Sequence, residues 1–424
     1  MAALTGSTIA DTYKDLLQVS NSNSGVDATA RAVSDGEGTA SLLYLSTTEV
    51  YSPGTGGTSN TAFGKNAGDA LAANGNYNVV LGEEAGTALS TADNNVAIGY
   101  QAFYRATTGA DDCVAIGYNA MSGNFGAVAA DDCVAIGSGA LAGTLTTGAV
   151  GTTVVGKAAG AAITEGQKNT AIGYGALTAE TDGDFSVAVG YNALAASTGG
   201  AGTMGSTAVG YSAGSAITSG TGNTLIGYLA GDALDTMTHN TAVGYGALGG
   251  SSAVDSTVVI GSGAGAGALT AAADGTVLIG YSAGAALTSG ADNLAIGENA
   301  LLEHTTGSRN IAIGFGAMDD TGANDCPTSI DNVFIGLNSG GGTWTTNDCN
   351  YNVAVGNYTL DDAMNGAVNN VAVGHLAGSG ITTASNDVLI GYGAGDALTT
   401  GSHSVAIGYL ALSAETTSSF NVGI

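Results

Sequence analysis

The residues of this sequence with the greatest capacity for chemistry are its four cysteines and four histidines. Cys113 and Cys133 occupy the same place in two copies of the segment DDCVAIG, whereas Cys326 and Cys349 lie in two longer neighbouring segments. Equivalent places on adjacent strands lie close enough for a disulfide, so a disulfide and a pair of free thiols both fit this spacing. No CxxC pair and no nearby histidine accompanies them, which argues against a zinc site.

The histidines and the acidic pairs predict no catalytic centre. His239, His304, His375 and His403 are scattered over different segments without a Gly-x-Ser-x-Gly motif. We expect His375 at the place of a recurring tyrosine and the other three as exposed turn residues rather than a catalytic base. Paired aspartates offer oxygen ligands to Ca²⁺, but the GGxGxD calcium repeat is absent, and a solvated acidic rim is the simpler interpretation. These pairs are Asp111-Asp112, Asp131-Asp132, Asp319-Asp320 and Asp361-Asp362. We therefore expect no catalytic residue, no metal and no cofactor, and a protein that is not an enzyme.

A recurring tyrosine is the most conspicuous candidate for binding. Ten tyrosines each follow a glycine at a regular interval: Tyr100, Tyr118, Tyr174, Tyr191, Tyr211, Tyr228, Tyr245, Tyr281, Tyr392 and Tyr409. The favoured interpretation is structural, with phenol rings stacked along an edge and their hydroxyl groups in water. The alternative is a glycan-stacking column that binds a surface polysaccharide.

The elements that position these residues repeat along most of the chain. Twenty glycines, which we call the repeat glycines, each end a short segment such as NNVAIG or KNTAIG, and 17 residues is their commonest separation. They are Gly64, Gly82, Gly99, Gly117, Gly137, Gly156, Gly173, Gly190, Gly210, Gly227, Gly244, Gly261, Gly280, Gly297, Gly314, Gly336, Gly356, Gly374, Gly391 and Gly408. A fixed period of this size predicts a solenoid whose coils bury their apolar surface by stacking.

The residues before each repeat glycine alternate with a period of two, which predicts a short strand. Counted from the glycine, position −1 is Ile or Val in eighteen coils, and position −4 is Asn in eleven. We expect the −1 residue, for example Ile172, to point into packed space together with the small residue at position +3, for example Ala176. We also expect the Asn side chains to hydrogen-bond amide to amide from coil to coil.

The second half of each coil indicates how the core is filled. Position +4 is Gly in ten coils and a large apolar residue, such as Phe103 or Leu177, in the other ten. Where position +4 is Gly, an aliphatic residue usually stands at position +7, as Leu89 and Ile163 do. One core slot is thus filled from either of two positions, and interior volume stays nearly constant. We expect each coil to be two short strands joined by two turns.

The segments NNVAIGYQA, NTAIGYGAL and NTLIGYLAG resemble the head repeats of trimeric autotransporter adhesins and of bacteriophage tail fibres. The resemblance covers residues 59–424 and implies an all-β fold, a left-handed parallel β-roll of about twenty coils, with three chains side by side. The coils here are slightly longer than the shortest adhesin repeats and carry Tyr after the repeat glycine. Both features favour the phage version.

Composition and charge indicate a fibre. The chain has 71 Gly and only 2 Pro among 424 residues, and its hydrophobic fraction of 44% is too high for a disordered chain. A net charge of −28 with 7 Lys and Arg makes nucleic acid an unexpected partner. No run of 18 apolar residues is present, so we expect no membrane insertion.

Three segments are predicted. Residues 1–52 break the period and are expected to form an N-terminal attachment or trimerisation segment, in which residues 7–20 read as either a helix or a strand and residues 39–51 as strand. Residues 53–58 form a Gly/Pro linker, and residues 59–424 form the β-roll domain. The chain stops at Ile424 in mid-repeat, so we expect a further C-terminal part. The N-terminus has neither the basic nor the apolar region of a secretory signal.

Two function classes follow from the resemblance and the composition. The first is a structural fibre or spike protein of a tailed phage virion, assembled in the host cytoplasm, which mediates or supports host attachment. Its expected partners are two further copies in a parallel homotrimer, other virion proteins through the N-terminal segment, and a host-surface receptor or polysaccharide. Cytoplasmic assembly favours free thiols. The alternative is a trimeric autotransporter-type adhesin on the bacterial cell surface; a tailspike depolymerase would need clustered carboxylates that such short coils hardly offer.

Overall fold

Each repeat contributes one strand of three residues, which ends directly before the repeat glycine. Successive strands pair in parallel and in register, so that Val96, Ala97 and Ile98 lie opposite Val114, Ala115 and Ile116. The register is constant because the same residue of each coil begins the strand. The repeats form a parallel β-solenoid of about twenty turns, which confirms the predicted all-β class.

The computed structural model describes residue 57 and residues 59–72, 74–105, 110–125, 130–145, 149–199, 205–321 and 328–424, together with four short strands nearer the N-terminus. The chain divides into two compact units, Met1–Phe185 and Ser186–Ile424. The solenoid strands of the first unit are β5 (Thr61–Phe63), β6 (Val79–Leu81), β7 (Val96–Ile98), β8 (Val114–Ile116), β9 (Val134–Ile136), β10 (Thr153–Val155) and β11 (Thr170–Ile172). Those of the second unit are β12 (Val187–Val189), β13 (Thr207–Val209), β14 (Thr224–Ile226), β15 (Thr241–Val243), β16 (Val258–Ile260), β17 (Val277–Ile279), β18 (Leu294–Ile296), β19 (Ile311–Ile313), β20 (Val333–Ile335), β21 (Val353–Val355), β22 (Val371–Val373), β23 (Val388–Ile390), β24 (Val405–Ile407) and β25 (Val422–Gly423), with one 3₁₀ turn at Ala271–Ala273.

The first unit also contains an antiparallel sheet of four strands, in the order β1 (Gln18–Val19), β2 (Arg31–Ser34), β3 (Ala40–Leu45) and β4 (Val50–Tyr51). Residues 7–20 are compatible with a helix or a strand from the sequence, and Gln18–Val19 near the end of that segment form strand β1. Residues 1–17 and residue 20 lie outside the described residues. The segment of residues 39–51, predicted as strand, contains two strands, β3 and β4, which pair antiparallel. The predicted linker lies mostly outside the described residues.

The rest of each coil is built from turns, so the expectation of two strands per coil was wrong for the described residues. In these coils the backbone is left-handed at four recurring positions, −5, the repeat glycine itself, +2 and +4. The repeat glycines have φ between 126° and 146°, and a Cβ on Gly99 would stand 2.6 Å from the carbonyl oxygen of Gly117 in the next coil. Only glycine fits both the dihedral angle and the close approach. A coil therefore closes through repeated left-handed residues rather than through a second strand.

The strands face the opposite way from the sequence-based expectation. The middle residue, at position −2, is fully buried in strands β5 to β24, for example Ala171 and Ala188. Ile172 at position −1 is 40% exposed, so its assignment to the core of the chain was wrong. Ala176 at position +3 is fully buried, as expected. The chain thus buries its alanines and presents a continuous row of Ile and Val, which we call the aliphatic face, to its exterior.

The two-position filling of the core is confirmed. Phe103 and Leu177, at position +4, are fully buried, and so are Leu89 and Ile163, at position +7. The large residues at position +4 adopt left-handed backbone angles, 56° for Phe103 and 50° for Leu177. Such angles disfavour bulky side chains by about 1 kcal/mol or more, a cost that burial of the side chain offsets.

A glycine at position +4 makes room for a large residue in the strand. A Cβ on Gly160 would meet Val154 at 2.8 Å, and one on Gly340 would meet the Phe334 ring at 2.6 Å. In all seven coils in which position −2 is larger than Ala, position +4 is Gly. The two positions therefore share one interior volume, which a close-packed core requires.

The asparagine column, which we define as the residues at position −4, ties successive coils together inside the molecule. The Asn95 Oδ1 accepts the backbone N–H of Cys113 at 2.9 Å, and its Nδ2 donates to the carbonyl of Ala110 at 2.8 Å. Both partners belong to the next coil. Direct amide contacts also occur, as from Asn332 Nδ2 to Asn310 Oδ1 at 3.0 Å. The predicted coil-to-coil bonding is present, with the backbone as the principal partner.

Candidate functional site: the exposed aromatic column

The repeat glycine positions the side chain that follows it. Because the glycine leaves the strand with a positive φ, the residue at position +1 projects from the end of the strand instead of continuing it. All ten of the tyrosines singled out from the sequence occupy this position and are exposed. With His375 and Phe315 they make up what we call the aromatic column.

Rings in neighbouring coils stack face to face. In the second unit, the centroids of Tyr191, Tyr211, Tyr228 and Tyr245 follow one another at 5.1 Å, with interplanar angles between 5° and 13°. In the first unit, Tyr100 and Tyr118 stack at 5.6 Å and 15°. These separations are close to the distance between neighbouring strands. The stacking predicted for this column is therefore confirmed in these runs.

A second run involves a histidine. The His375 ring stacks on Tyr392 at 5.4 Å, and Tyr392 stacks on Tyr409 at the same separation. Tyr358, which lies one residue further along its coil, meets the edge of His375 at 5.8 Å. His375 thus takes the place of a tyrosine in the column, and its ring packs against the rings of Tyr358 and Tyr392.

Stacking restricts what the aromatic column can bind. A sugar packs its C–H groups against the electron-rich face of an aromatic ring. Tyr211 and Tyr228 have a ring on either side and are 47% and 44% exposed, whereas Tyr245, which ends the run, is 63% exposed. Ring faces are accordingly available at the ends of runs, and the inner rings present their edges and hydroxyl groups. Glycan binding stays a prediction, and the free ring faces at Tyr118, Tyr245 and Tyr281 are the places where we expect it.

Breaks between runs follow from single residues. Ser138 succeeds Tyr118 in the column, Ser262 succeeds Tyr245, and Glu298 succeeds Tyr281. Lys157 places its ammonium group 5.9 Å from the centroid of the Tyr174 ring, a cation–π arrangement. The column is a series of short aromatic platforms separated by polar residues.

Cys113 and Cys133 lie in the asparagine column, whereas Cys349 stands at position −7 of its coil. Cys113, Cys133 and Cys349 are free and buried, and Cys326 lies outside the described residues. The Cys113 thiol donates to the Ala130 carbonyl at 2.8 Å, and its sulfur accepts the backbone N–H of Cys133 at 3.4 Å. The neighbouring Cys133 side chain and burial both raise the pKa of Cys113, against a smaller opposing effect of the Cys133 backbone N–H, and burial raises the pKa of Cys349 to about 11. These thiols pack and hydrogen-bond inside the coil. Cys113 and Cys133 form no disulfide in this structure.

The acidic pairs bond to the backbone of the turns. Asp111 Oδ1 accepts the N–H of Asp93 at 2.7 Å, and Asp131 Oδ1 accepts the N–H of Asp111 at 3.0 Å. Burial, together with nearby carboxylates, raises the pKa of Asp319 and of Asp361 to about 6. Within the described ranges, no cluster of three or more His, Cys, Asp or Glu side chains is arranged to hold a metal ion.

One histidine differs from expectation. His304 is fully buried, so its description as an exposed turn residue was wrong. Its Nδ1 lies 3.1 Å from the Thr321 hydroxyl, and its Nε2 lies 3.2 Å from Nδ2 of Asn310. Burial lowers the pKa of His304 to about 4, so the ring is neutral at pH 7. It occupies position +7, which the sequence identified as a core slot only for aliphatic residues.

Comparisons with models of protein families, with curated proteins and with solved structures returned no match. The resemblance to adhesin heads and phage fibres thus stays a prediction. Across the part of the chain that the structure describes, no helix has the length and hydropathy of a membrane span.

Proposed function

We propose that this chain is the repeat region of a homotrimeric fibre or spike of a tailed phage virion, which extends from the particle and supports host attachment without chemistry of its own. The single observation that carries the proposal is the aliphatic face. In the second unit Ile226, Ile260 and Ile390 are each exposed by 36% or more, at the same position of their coils. An apolar row repeated in every coil marks a surface that meets another apolar surface.

The occupant that fits the aliphatic face is further copies of the same chain. Parallel copies in the same register bring Ile and Val of one coil against Ile and Val of the equivalent coil, so every coil contributes an equal contact. A standard interface buries roughly 800 Å² per partner, which the fourteen strands of the second unit would supply with about 60 Å² each. Three copies around one axis, with left-handed coils, is the arrangement that the resemblance implies.

The net charge of the chain favours an interface between copies that is formed by the aliphatic face. The chain carries a net charge of −28, so close packing of copies through acidic surfaces would be repulsive. The aliphatic face consists of uncharged residues, whereas acidic pairs such as Asp111-Asp112 lie in the turns. Association through the strands therefore leaves the acidic turns in solvent, where they keep neighbouring particles apart.

The virion assignment rests on the coil length and on Tyr after the repeat glycine, which favour the phage version of the repeat. In this assignment the N-terminal antiparallel sheet joins the fibre to other virion proteins, and the aromatic platforms face the host surface. A cell-surface adhesin is the second candidate, favoured by the same repeats. Labelling the chain with antibody on purified phage particles and on bacterial envelopes distinguishes the two, because a fibre labels particles and an adhesin labels envelopes.

Light scattering tests the assembly. We expect a mass three times the 40.7 kDa of the chain in native buffer. A variant with Ile226, Ile260 and Ile390 replaced by Asp is expected to lose the trimer, whereas a matched variant with Tyr228, Tyr245 and Tyr392 replaced by Ser retains it. A mass of one chain for the wild type, or dissociation of the Tyr variant alone, would contradict the proposal.

A further inference from the structure

One member of the asparagine column is an acid. The asparagines of the column typically make two bonds to the next coil: the side chain accepts the N–H of the −4 residue and donates to the carbonyl of the −7 residue. Asn352 and Asn370 show the pattern just before the acid, donating from Nδ2 to the carbonyls of Ala367 and Ala384 at 2.8 and 2.9 Å. Cys113 and Cys133 donate to the equivalent carbonyls through their thiols. Donation to the −7 carbonyl thus holds across amide and thiol side chains.

Asp387 occupies the next place in this column and is fully buried. Its backbone N–H donates to Asn370 Oδ1 at 3.0 Å, and its Oδ1 accepts the N–H of Ser404 at 2.7 Å. Both bonds follow the column. The second oxygen, Oδ2, is buried and has no donor. By the register of the column it faces the −7 carbonyl of the next coil, that of Gly401, which accepts no other backbone hydrogen bond among the described residues.

Two acceptors that face each other in a dry interior require a proton between them. We propose that Asp387 is held as the neutral carboxylic acid and that its Oδ2–H donates to the Gly401 carbonyl, as an asparagine amide does elsewhere in the column. The position is therefore a proton-binding site, and ionisation of Asp387 breaks one of the two links between these coils.

The short donor–acceptor distances in the asparagine column favour a proton over a metal ion between Asp387 and the Gly401 carbonyl. Donor and acceptor atoms at the equivalent amide sites are separated by 2.7 to 2.9 Å, for example 2.7 Å from Asn169 to Gly183. A calcium ion between two oxygens would separate them by roughly 5 Å. In-register coils leave no such gap.

The groups around Asp387 set the direction of its pH dependence. Asn370, from the preceding coil, and Ser404, from the following coil, carry no charge, and the exposed His403 of the following coil is the titratable group whose charge acts on Asp387. Burial raises the pKa of Asp387 from its ordinary 3.8 to about 6, against smaller opposing effects of the Ser404 N–H and of His403. The folded chain then binds more protons than the unfolded chain between these values. The contribution of Asp387 to the stability of the folded chain is complete below about pH 4 and is lost as the pH rises through 6.

Melting of the full chain between pH 5 and pH 8 tests the proposal with three variants. Asp387→Asn supplies a permanent amide donor, and we expect it to melt higher than the wild type at pH 8 by roughly 2 °C or more, with the difference closing at pH 5. Asn370→Asp places a second acid in the column, and we expect it to melt lower than the wild type at pH 8 and to recover at pH 5. Asp69→Asn removes an exposed charge and is the control, with a pH profile like that of the wild type.

The proposal is overturned if Asp387→Asn melts at or below the wild type at pH 8, or if the difference between them is the same at both pH values. Asn370→Asp that fails to fold at pH 8 and folds at pH 5 supports it, whereas failure at both values contradicts it, since a proton would then not replace the amide hydrogen. An increase in the melting temperature of the wild type on adding Ca²⁺ at pH 8, absent from Asp387→Asn, would also contradict it.

Discussion

The asparagine column and the aromatic column are both ladders of like side chains, one inside the coil and one outside it. Inside, each Asn makes directional bonds to the next coil, such as the 2.8 Å bond from Asn240 to the Val254 carbonyl. Outside, rings meet through their faces, and a break such as Ser262 changes only the length of a run. The comparison shows that the same periodicity restricts the interior position to small side chains with a polar or thiol group, and tolerates aromatic, polar and charged residues where water can replace a lost contact.

The largest loss of stability is expected from a substitution at the buried residue of a strand, compared with the same substitution at its exposed neighbour. Ala171 is fully buried and its neighbour Ile172 is exposed. Ala171→Asp buries an unpaired carboxylate, and we expect a loss of at least about 4 kcal/mol of stability. Ile172→Asp is the matched control. It is expected to leave the strand content unchanged by circular dichroism while it weakens association of copies. If Ile172→Asp unfolds the chain and Ala171→Asp is tolerated, Ile172 rather than Ala171 points into the core, as the sequence alone predicts.

An intermediate effect is expected inside the asparagine column. Asn240 Oδ1 accepts both the N–H and the hydroxyl of Thr257, and its Nδ2 donates to Val254. Asn240→Ala leaves these buried groups without partners, and we expect a loss of about 2 to 3 kcal/mol in chemical denaturation. The exposed Asn74→Ala is the control, with a loss below about 0.5 kcal/mol. Equal effects of the two variants would show that the column does not hold the coils together.

The smallest effect is expected in the aromatic column. Tyr228 stacks on two rings and Tyr245, at the end of the run, on one described ring. Tyr228→Ser is expected to cost about 1 kcal/mol and Tyr245→Ser about half of that, measured by thermal melting. If glycan binding occurs at ring faces, Tyr245→Ser reduces it more than Tyr228→Ser does. The reverse order in a glycan-binding assay would place binding at the ring edges.

The period, the strand and the two-position core slot could be predicted because each depends on spacing alone. The inward face could not be read from the alternation, since period two shows which residues share a face and both faces here are apolar. A signal for the inward face was nonetheless present. Strand residues larger than Ala at position −2, such as Phe334, always accompany Gly at position +4, and such compensation indicates a shared interior.

Two features lay beyond pattern reasoning. The left-handed backbone at Leu177 and Phe103 has no sequence signature, because large residues rarely adopt it and the fold accepts it for the sake of burial. His304 was placed in solvent by its residue type, although its position +7 is a core position in other coils. In both cases the place in the repeat determined the environment more strongly than the residue type did.

The constant register of the strands has a consequence for how this gene can change. Removing the 17 residues from Thr224 to Asn240 would join Asn223 to Thr241, two residues already in the correct order for a strand. Gly214 would then face Ala242 instead of Leu225, a local loss of packing. Removing 16 residues would instead shift every following side chain by one place in the coil. Recombination between repeats can therefore lengthen or shorten the chain, and related alleles are expected to differ by whole coils.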